Sequence, residues 1–405
     1  MEIINPLCCG LDIHKKTIAA CFISPGGKEI RSFGTMTEDL LELADWLLQN
    51  KCEIVAMEST GVYWKPIYNV LEATGMKILV VNAHHIKAVP GRKTDVKDAE
   101  WIADLLKHGL LQGSFIPDRD QRELRELVRY RTKLTQERSR EVNRIQKVLE
   151  GANIKLGDVA TDVMGKSGQD MLRALISGDQ SPQDMAQLAR GKLKCKKDLL
   201  EKALTGLIGA HQKMLLRTQL QHIDFLNEQI EVLGQEIKER MRSFEEAIEA
   251  LDGIPGISRT NAEQILCETG IDMSRFPTHR HFASWAALCP GNNESAGKRK
   301  SGRTRKGNMS LKAALTQAAI SASRTKGTYL NVMYHRLAAR RGKNKAIVAV
   351  AHAILVTIYH MLKNGSSYHD LGVNHFNEIN HQATVKRSIK RLESMGYKVT
   401  VEPAA

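Results

Sequence analysis

Cys9-Gly10-Leu11-Asp12-Ile13-His14-Lys15-Lys16-Thr17-Ile18-Ala19-Ala20-Cys21-Phe22-Ile23 reads as two strand-like segments, and a third, Glu29-Ile30-Arg31-Ser32-Phe33, follows the Pro25-Gly26-Gly27 turn. The chain is therefore expected to begin as a β-meander. Ile54-Val55-Ala56-Met57 is a continuous apolar run closed by Glu58, the pattern of a strand covered on both faces, and Ser59-Thr60-Gly61 turns the chain away. Helices are expected at Thr37–Gln49 and from Trp64 to about Thr74, with Met76–Val81 as a fifth strand. Lys93-Thr94-Asp95-Val96-Lys97-Asp98-Ala99 then places Thr94 to cap a helix whose first turn carries Asp95 and Asp98 three apart. Trp101, Ile102, Leu105 and Leu106 form the stripe that docks this helix on the sheet.

Acids at a helix N-terminus are favoured by the macrodipole alone. Two so close together also repel unless a cation lies between them, and Asp12 and Glu58 sit at or beside strand ends that can meet them at one edge of an α/β sheet. Oxygen-only ligands of this kind suit Mg²⁺ or Mn²⁺, and a pair of such ions can clamp the attacking and leaving oxygens of a phosphodiester. His84 and His85, after the fifth strand, read as solvated or phosphate-contacting rather than as ligands.

The order β-β-β-α-β-α-β-α with acids at these places resembles the ribonuclease H fold of the Holliday-junction-resolvase (RuvC-like) type. Gly10-Leu11-Asp12-Ile13-His14-Lys15, Glu58-Ser59-Thr60-Gly61-Val62-Tyr63-Trp64 and Lys93-Thr94-Asp95-x-x-Asp98-Ala99 resemble, in order, the three blocks of the DEDD transposases of insertion-sequence family 110. The resemblance implies Asp12, Glu58, Asp95 and Asp98 as ligands of Mg²⁺ or Mn²⁺.

A chain of 405 residues, 42% of them hydrophobic, has material for two or three cores. Its net charge of +14 favours a polyanionic partner, nucleic acid or an anionic membrane surface. The start, Met1-Glu2-Ile3-Ile4-Asn5-Pro6, lacks the pattern of a signal peptide, and the apolar run Ala346–Leu362, broken by His352 and His360, reads as a buried helix rather than a span. Seven cysteines without paired metal spacing point to reduced thiols, so the expected location is the bacterial cytosol, at the nucleoid during reaction, with no membrane partner. From Asp118 to Glu150 spaced Leu124, Leu127, Leu134, Val142, Ile145 and Leu149 mark a long amphipathic helix, and Arg138 and Arg140 read as its solvated face. A second long helix is expected from about Lys202 to Arg242, with Leu216, Leu220, Ile223, Leu226, Ile230, Leu233 and Ile237 near coiled-coil spacing. Such helices form either an antiparallel hairpin or an intersubunit coiled coil. The segment between them, 151–199, reads as short helices with mobile joints.

Leu251-Asp252-Gly253-Ile254-Pro255-Gly256-Ile257-Ser258-Arg259 resembles a helix-hairpin-helix element, where Gly253, Gly256 and Arg259 would meet a phosphate; the alternative is an ordinary Pro-Gly turn between helices. Between Glu294 and Asp370 there is no acidic residue, while Lys298, Arg299, Lys300, Arg303, Arg305 and Lys306 crowd its first part. A tract of one sign is hard to explain without a polyanion, and the glycine-punctuated loop 297–307 suits nucleic acid better than a membrane. Ser295, before Ala296-Gly297-Lys298, has an uncrowded hydroxyl beside this charge, which would stabilise an alkoxide and a pentacoordinate phosphorus. Ser301 and Ser310 are rivals, and Ser310 fits the N-cap of the helix that follows.

Trp285-Ala286-Ala287-Leu288-Cys289-Pro290, Ser295-Ala296-Gly297-Lys298 and Arg305-Lys306-Gly307-Asn308 resemble the C-terminal transposase domain of the same family, whose serine nucleophile maps onto Ser295; Ala296 stands where the family usually has glycine. The fold class expected is α/β plus α: a ribonuclease H-like (RuvC-like) catalytic domain (1–117), a coiled-coil spacer (118–245) and a mainly helical domain with the helix-hairpin-helix and the serine (246–405). The resemblance implies a DNA recombinase working through a serine–DNA phosphoester on donor and target DNA, as a dimer or tetramer, guided by an element-encoded non-coding RNA. A metal-dependent RuvC-like endonuclease using water, and a non-catalytic nucleic-acid-binding scaffold, are the alternatives.

Overall fold

Three antiparallel strands, β1 (Cys8–Ile13), β2 (Ile18–Ser24) and β3 (Gly27–Phe33), open the computed structural model, which describes residues 2–82, 95–291, 293–304, 307–379 and 381–400. β4 (Ile54–Glu58) pairs parallel with β1, and β5 (Lys77–Val81) parallel with β4, giving the order β3-β2-β1-β4-β5. β4 is buried from Ile54 to Met57, as its unbroken apolar run requires. β3 is exposed except at Phe33, and Lys28, Glu29 and Arg31 keep this edge from pairing with another chain.

Helices α1 (Thr37–Gln49) and α2 (Trp64–Glu72) cover one face, where Leu43, Trp46, Leu47 and Leu71 pack on Leu11, Val55 and Met57. Helix α3 (Asp95–Lys107) covers the other, with Ile102, Leu105 and Leu106 against Cys8, Ile54 and Ala56. Residues Met1–Asp118 form one compact unit and Arg119–Ala405 a second. All seven cysteines are free thiols, and burial pushes those of Cys8 and Cys21 up to about 11.

The second unit is helical apart from a small hairpin. Helix α4 (Arg119–Gly151) leads to four short helices, α5 (Leu156–Val159), α6 (Lys166–Ser177), α7 (Pro182–Gln187) and α8 (Lys197–Leu204), and the chain returns as α9 (Ala210–Arg240). Side chains bridge Glu123 to Arg240 at 3.1 Å, Arg138 to Asn227 at 2.5 Å and Glu141 to His222 at 3.3 Å, so α4 and α9 run antiparallel within one chain. The single helix expected from Lys202 to Arg242 is broken at 205–209, where Leu207 N donates to Ala152 O at 2.9 Å and turns the chain. Residues 151–199 also differ from the expectation of mobile joints: Met171, Leu172, Leu175, Met185 and Leu200 share a core with Ile145 and Leu149 of α4 and Leu216 and Ile223 of α9.

At the far end of the α4–α9 pair a second core gathers α10 (Glu245–Asp252), α11 (Arg259–Thr269), α12 (His279–Trp285), α13 (Met309–Ala322), α14 (Tyr329–Arg341) and α15 (Lys343–Asn364). α15 is the apolar run read above. It is long and apolar enough to cross a membrane, the one such helix among the described residues, but Val350, Ile354, Leu355, Ile358 and Tyr359 are buried in this core. The N-cap of α13 is Asn308, whose Oδ1 accepts from Leu311 N at 3.1 Å, and not Ser310, which lies inside the helix. Two short C-terminal helices, α16 (His375–Ile379) and α17 (His381–Glu393), follow.

Candidate active site

The parallel ladder pairs Leu11 with Met57, so one further step sets Asp12 beside Glu58 at the ends of neighbouring strands, about 4.8 Å apart at the backbone. Leu11 and Met57 share the core under α1 and α2, and alternation turns Asp12 and Glu58 to the opposite face, the face that α3 covers. Gly10 lets α3 come close: a Cβ there would stand 2.4 Å from Ala103 N and 2.5 Å from Ala99 O. Cys8 Sγ reaches Ala103 O at 3.7 Å, so α3 descends along β1 with its first turns over the Asp12 end. Asp98 lies in those turns.

Electrostatics register the convergence. Burial raises the Asp12 carboxyl above its ordinary range, His14 opposes this, and the charges of Asp98 and Glu58 raise it further. His14 Nε2 stands 3.1 Å from Asp12 Oδ2, and Thr60 Oγ1 donates to Glu58 Oε1 at 2.9 Å. The structure thus brings the charges of Glu58 and Asp98 within reach of Asp12. Asp95 is the first residue of α3, and its side chain, together with Thr94, His84 and His85, lies outside the described residues. Among the described residues no three such groups close into a coordination sphere. The chemistry of the donor set nevertheless fits a hard divalent cation: it is all oxygen, and mutual repulsion burdens a half-buried carboxylate.

Ser295 ends a short strand, β6 (Asn293–Ser295), that pairs antiparallel with β7 (Lys298–Ser301), so the segment read as a loop is a hairpin. Ser295 pairs with Lys298 across the two-residue turn Ala296-Gly297, where both residues have positive φ, 50° and 72°. That is the signature of a type I′ turn. A Cβ in this region is costly, so Ala296→Gly is expected to stabilise the C-terminal unit by about 0.5–1 kcal/mol, read as a higher urea midpoint at unchanged slope. A lower midpoint would show that Ala296 makes a contact worth more than its strain. The hairpin base is fixed by Gly291 N donating to Arg303 O at 2.9 Å and by Lys312 Nζ on Thr304 Oγ1 at 2.6 Å. The side chains of Ser295, Arg299, Lys300, Arg305 and Lys306 lie outside the described residues.

Gly256 and Arg259 have internal partners. Gly256, at φ +91°, lies so close to α13 that a Cβ would meet Ala318 O at 2.4 Å. Arg259 makes a bidentate pair with Glu245 at 2.5 and 2.6 Å and reaches Glu263 at 3.3 Å. Gly253 caps α10. The acid-free tract is different, because among the described residues none of its cations forms an ion pair, whereas Arg125, Arg129, Arg131, Arg240 and Arg259 all do. Arg324, Lys326, Arg340, Arg341, Lys343 and Lys345 are exposed.

A network that sequence reasoning missed lies behind the hairpin. Glu268, fully buried on α11, binds Arg129 at 2.6 and 2.8 Å and accepts from Asn308 Nδ2 at 2.7 Å, with Arg125 3.5 Å away. In the sequence Glu268 is only an acid one residue before a helix end, and periodicity does not register its burial.

Residues 9–154 match the family model DEDD_Tnp_IS110, described as a transposase, and residues 248–335 match the model described as transposase, IS116/IS110/IS902 family. Among curated proteins, the chain is similar to a transposase for insertion sequence element IS1533 from Leptospira borgpetersenii, 26% identical over 153 residues. That match covers 36% of this chain and 44% of the relative, less than half of its length.

Proposed function

The chain belongs to the IS110 family of transposases, and from that premise we propose that it is the DNA transposase of an insertion sequence, with a ribonuclease H-like N-terminal unit and a serine nucleophile. The observation that carries the reading is the approach of Glu58 and of Asp98 to Asp12 at one sheet edge. The strand order β3-β2-β1-β4-β5, with acids on β1, β4 and the helix after β5, supports the ribonuclease H-like assignment. Asp12, Glu58 and Asp98, with Asp95 three residues before Asp98, are the residues that would hold Mg²⁺ or Mn²⁺. Bound there, a divalent ion supplies positive charge to phosphoryl oxygens and lowers the barrier to attack.

Ser295 Oγ attacks a DNA phosphorus, a P–O bond to deoxyribose breaks, and the departing hydroxyl takes up a proton as the serine loses one. The phosphoester bond energy is retained, so a deoxyribose hydroxyl from the exchanged strand reverses the attack and frees the serine. The hairpin geometry supports this role: Ser295 stands at the mouth of a two-residue turn with Lys298 across from it. The cations of the acid-free tract, none of them ion-paired among the described residues, support binding to donor and target DNA and to a guiding non-coding RNA. Joining of carboxylates and serine between copies of the chain would require a dimer or tetramer.

The test is a denaturant-resistant protein–DNA adduct formed on nicked donor DNA with Mg²⁺ and the element's transcript. The adduct is expected with the native chain and absent from Ser295→Ala. An adduct that persists in Ser295→Ala removes the nucleophile assignment, and cleavage without any adduct would favour hydrolysis by water.

A further inference from the structure

Behind the base of the serine hairpin lies a cavity of about 860 Å³ that the mechanism above does not use, within the ~300–1,000 Å³ range of small-molecule sites. Its wall is apolar, formed by Leu288 and Pro290 ahead of β6 and by Met333 of α14 and Val348 and Ala349 of α15. Its rim carries Arg303 and Lys345, both exposed and neither in an ion pair among the described residues. Asn344 and His352 complete the lining, which contains no acid and no Phe, Tyr or Trp.

The occupant is constrained by this combination. An apolar slot wants a flat or aliphatic body, and two free cations at its mouth want an anion attached to that body. Asn344 and His352 offer donors and acceptors to a polar edge. Burial, reinforced by His279, holds the His352 ring below its ordinary value, so the neutral ring can both give and accept. Apart from Leu288 and Pro290, the lining falls inside a tract free of acids from residue 295 to 369, so no carboxylate of that tract repels a phosphodiester there.

The hairpin places the slot near the reacting bond. Pro290 bridges Thr304 at the base, and Ser295 lies five residues further along the same segment, at most about 17 Å away. Resting on the reading of this unit as a DNA-acting one, we propose that the cavity takes an unstacked nucleobase of the DNA within a few nucleotides of the scissile phosphate, with the phosphate of that nucleotide on Arg303 and Lys345. Unstacking costs a few kcal/mol, offset by the apolar wall and the charge at the mouth. The site would thus hold the strand in register beside Ser295 without a paired base.

The experiment uses the full chain with its transcript and DNA carrying 2-aminopurine singly at each of the first five positions on either side of the joint. Binding is read separately by fluorescence anisotropy of an end label. Because no Phe, Tyr or Trp ring lines the slot, one position is expected to brighten several-fold on binding and to stay bright. Ala349→Trp, which fills and quenches the slot, is expected to abolish that brightening, while DNA affinity falls less than about tenfold. Lys345→Gln, an exposed change that leaves the core untouched, is expected to cut the brightening at least by half. Bound DNA with no bright position, or brightening unchanged in both variants, overturns the site. Brightening of 2-aminopurine in the transcript instead of the DNA overturns the choice of DNA. Failure of the native chain to bind DNA at all by anisotropy would remove the transposase reading along with this site.

Discussion

Asp98→Asn is expected to lower DNA strand cleavage by about a thousandfold, some 4 kcal/mol of transition-state stabilisation, while DNA affinity stays within twofold of the native chain. The reason is geometric. Gly10 lets α3 lie against β1, and this sets Asp98 within the field of Asp12, which Glu58 also reaches. The basic tract that would bind DNA belongs to the other unit. The same like charges make a second, opposite expectation for stability. In chelator, Asp98→Asn or Asp12→Asn relieves the repulsion that raises the Asp12 carboxyl, so the melting temperature of the N-terminal unit should rise. Adding Mg²⁺ should then raise the melting temperature of the native chain more than that of either variant. A melting temperature that falls in chelator on Asp98→Asn would mean that Asp98 makes a structural bond, not a shared ion site. Full cleavage by Asp98→Asn would remove it from the mechanism.

The parts of this centre that sequence could reach are those in which a single period or a single run decides the structure. Ile54–Met57 is apolar at every position, and such a run has few places to go except the middle of a parallel sheet. Ile102, Leu105 and Leu106 repeat at helical spacing and pack where that spacing puts them. The serine hairpin was less legible because its strands carry Lys298, Arg299 and Lys300 rather than alternating apolar residues, and its turn is Ala-Gly rather than Asn-Gly. Residues 151–199 hid a core for a related reason. Met171, Leu172 and Leu175 sit on α6, Met185 on α7 and Leu200 on α8, so no one helix is long enough to show a period that contains them all. Arg131 and Glu263, paired at 2.8 Å and buried, are charges that composition assigns to a wet face. Burial of a charge is decided by its partner, here 132 positions away, and no local pattern encodes that.

The network at Glu268 carries the other large effect. Glu268→Gln is expected to destabilise the C-terminal unit by about 3–5 kcal/mol, because it leaves Arg129 and Arg125 facing a neutral amide in a buried place. Burial would raise the Glu268 carboxyl, but the hydrogen bonds and charge of Arg129, with Asn308 and Arg125, outweigh it and hold the group below the usual glutamate range. A lowered carboxylate contributes its stability above the ordinary glutamate value and loses it as pH falls through the lowered one. The native chain and Glu268→Gln should therefore differ most near neutral pH and approach one another in acid, measured as urea midpoints across the pH range. Asn308, which Glu268 holds, also caps α13 and donates its backbone N–H to Trp285 O at 3.4 Å, so the loss should reach the segments flanking the serine hairpin. Amide exchange in 285–291 and 307–312 should then quicken in Glu268→Gln beyond what a uniform loss of stability gives. A midpoint difference that is the same in acid as at neutral pH would show that shape, and not charge, makes Glu268 matter.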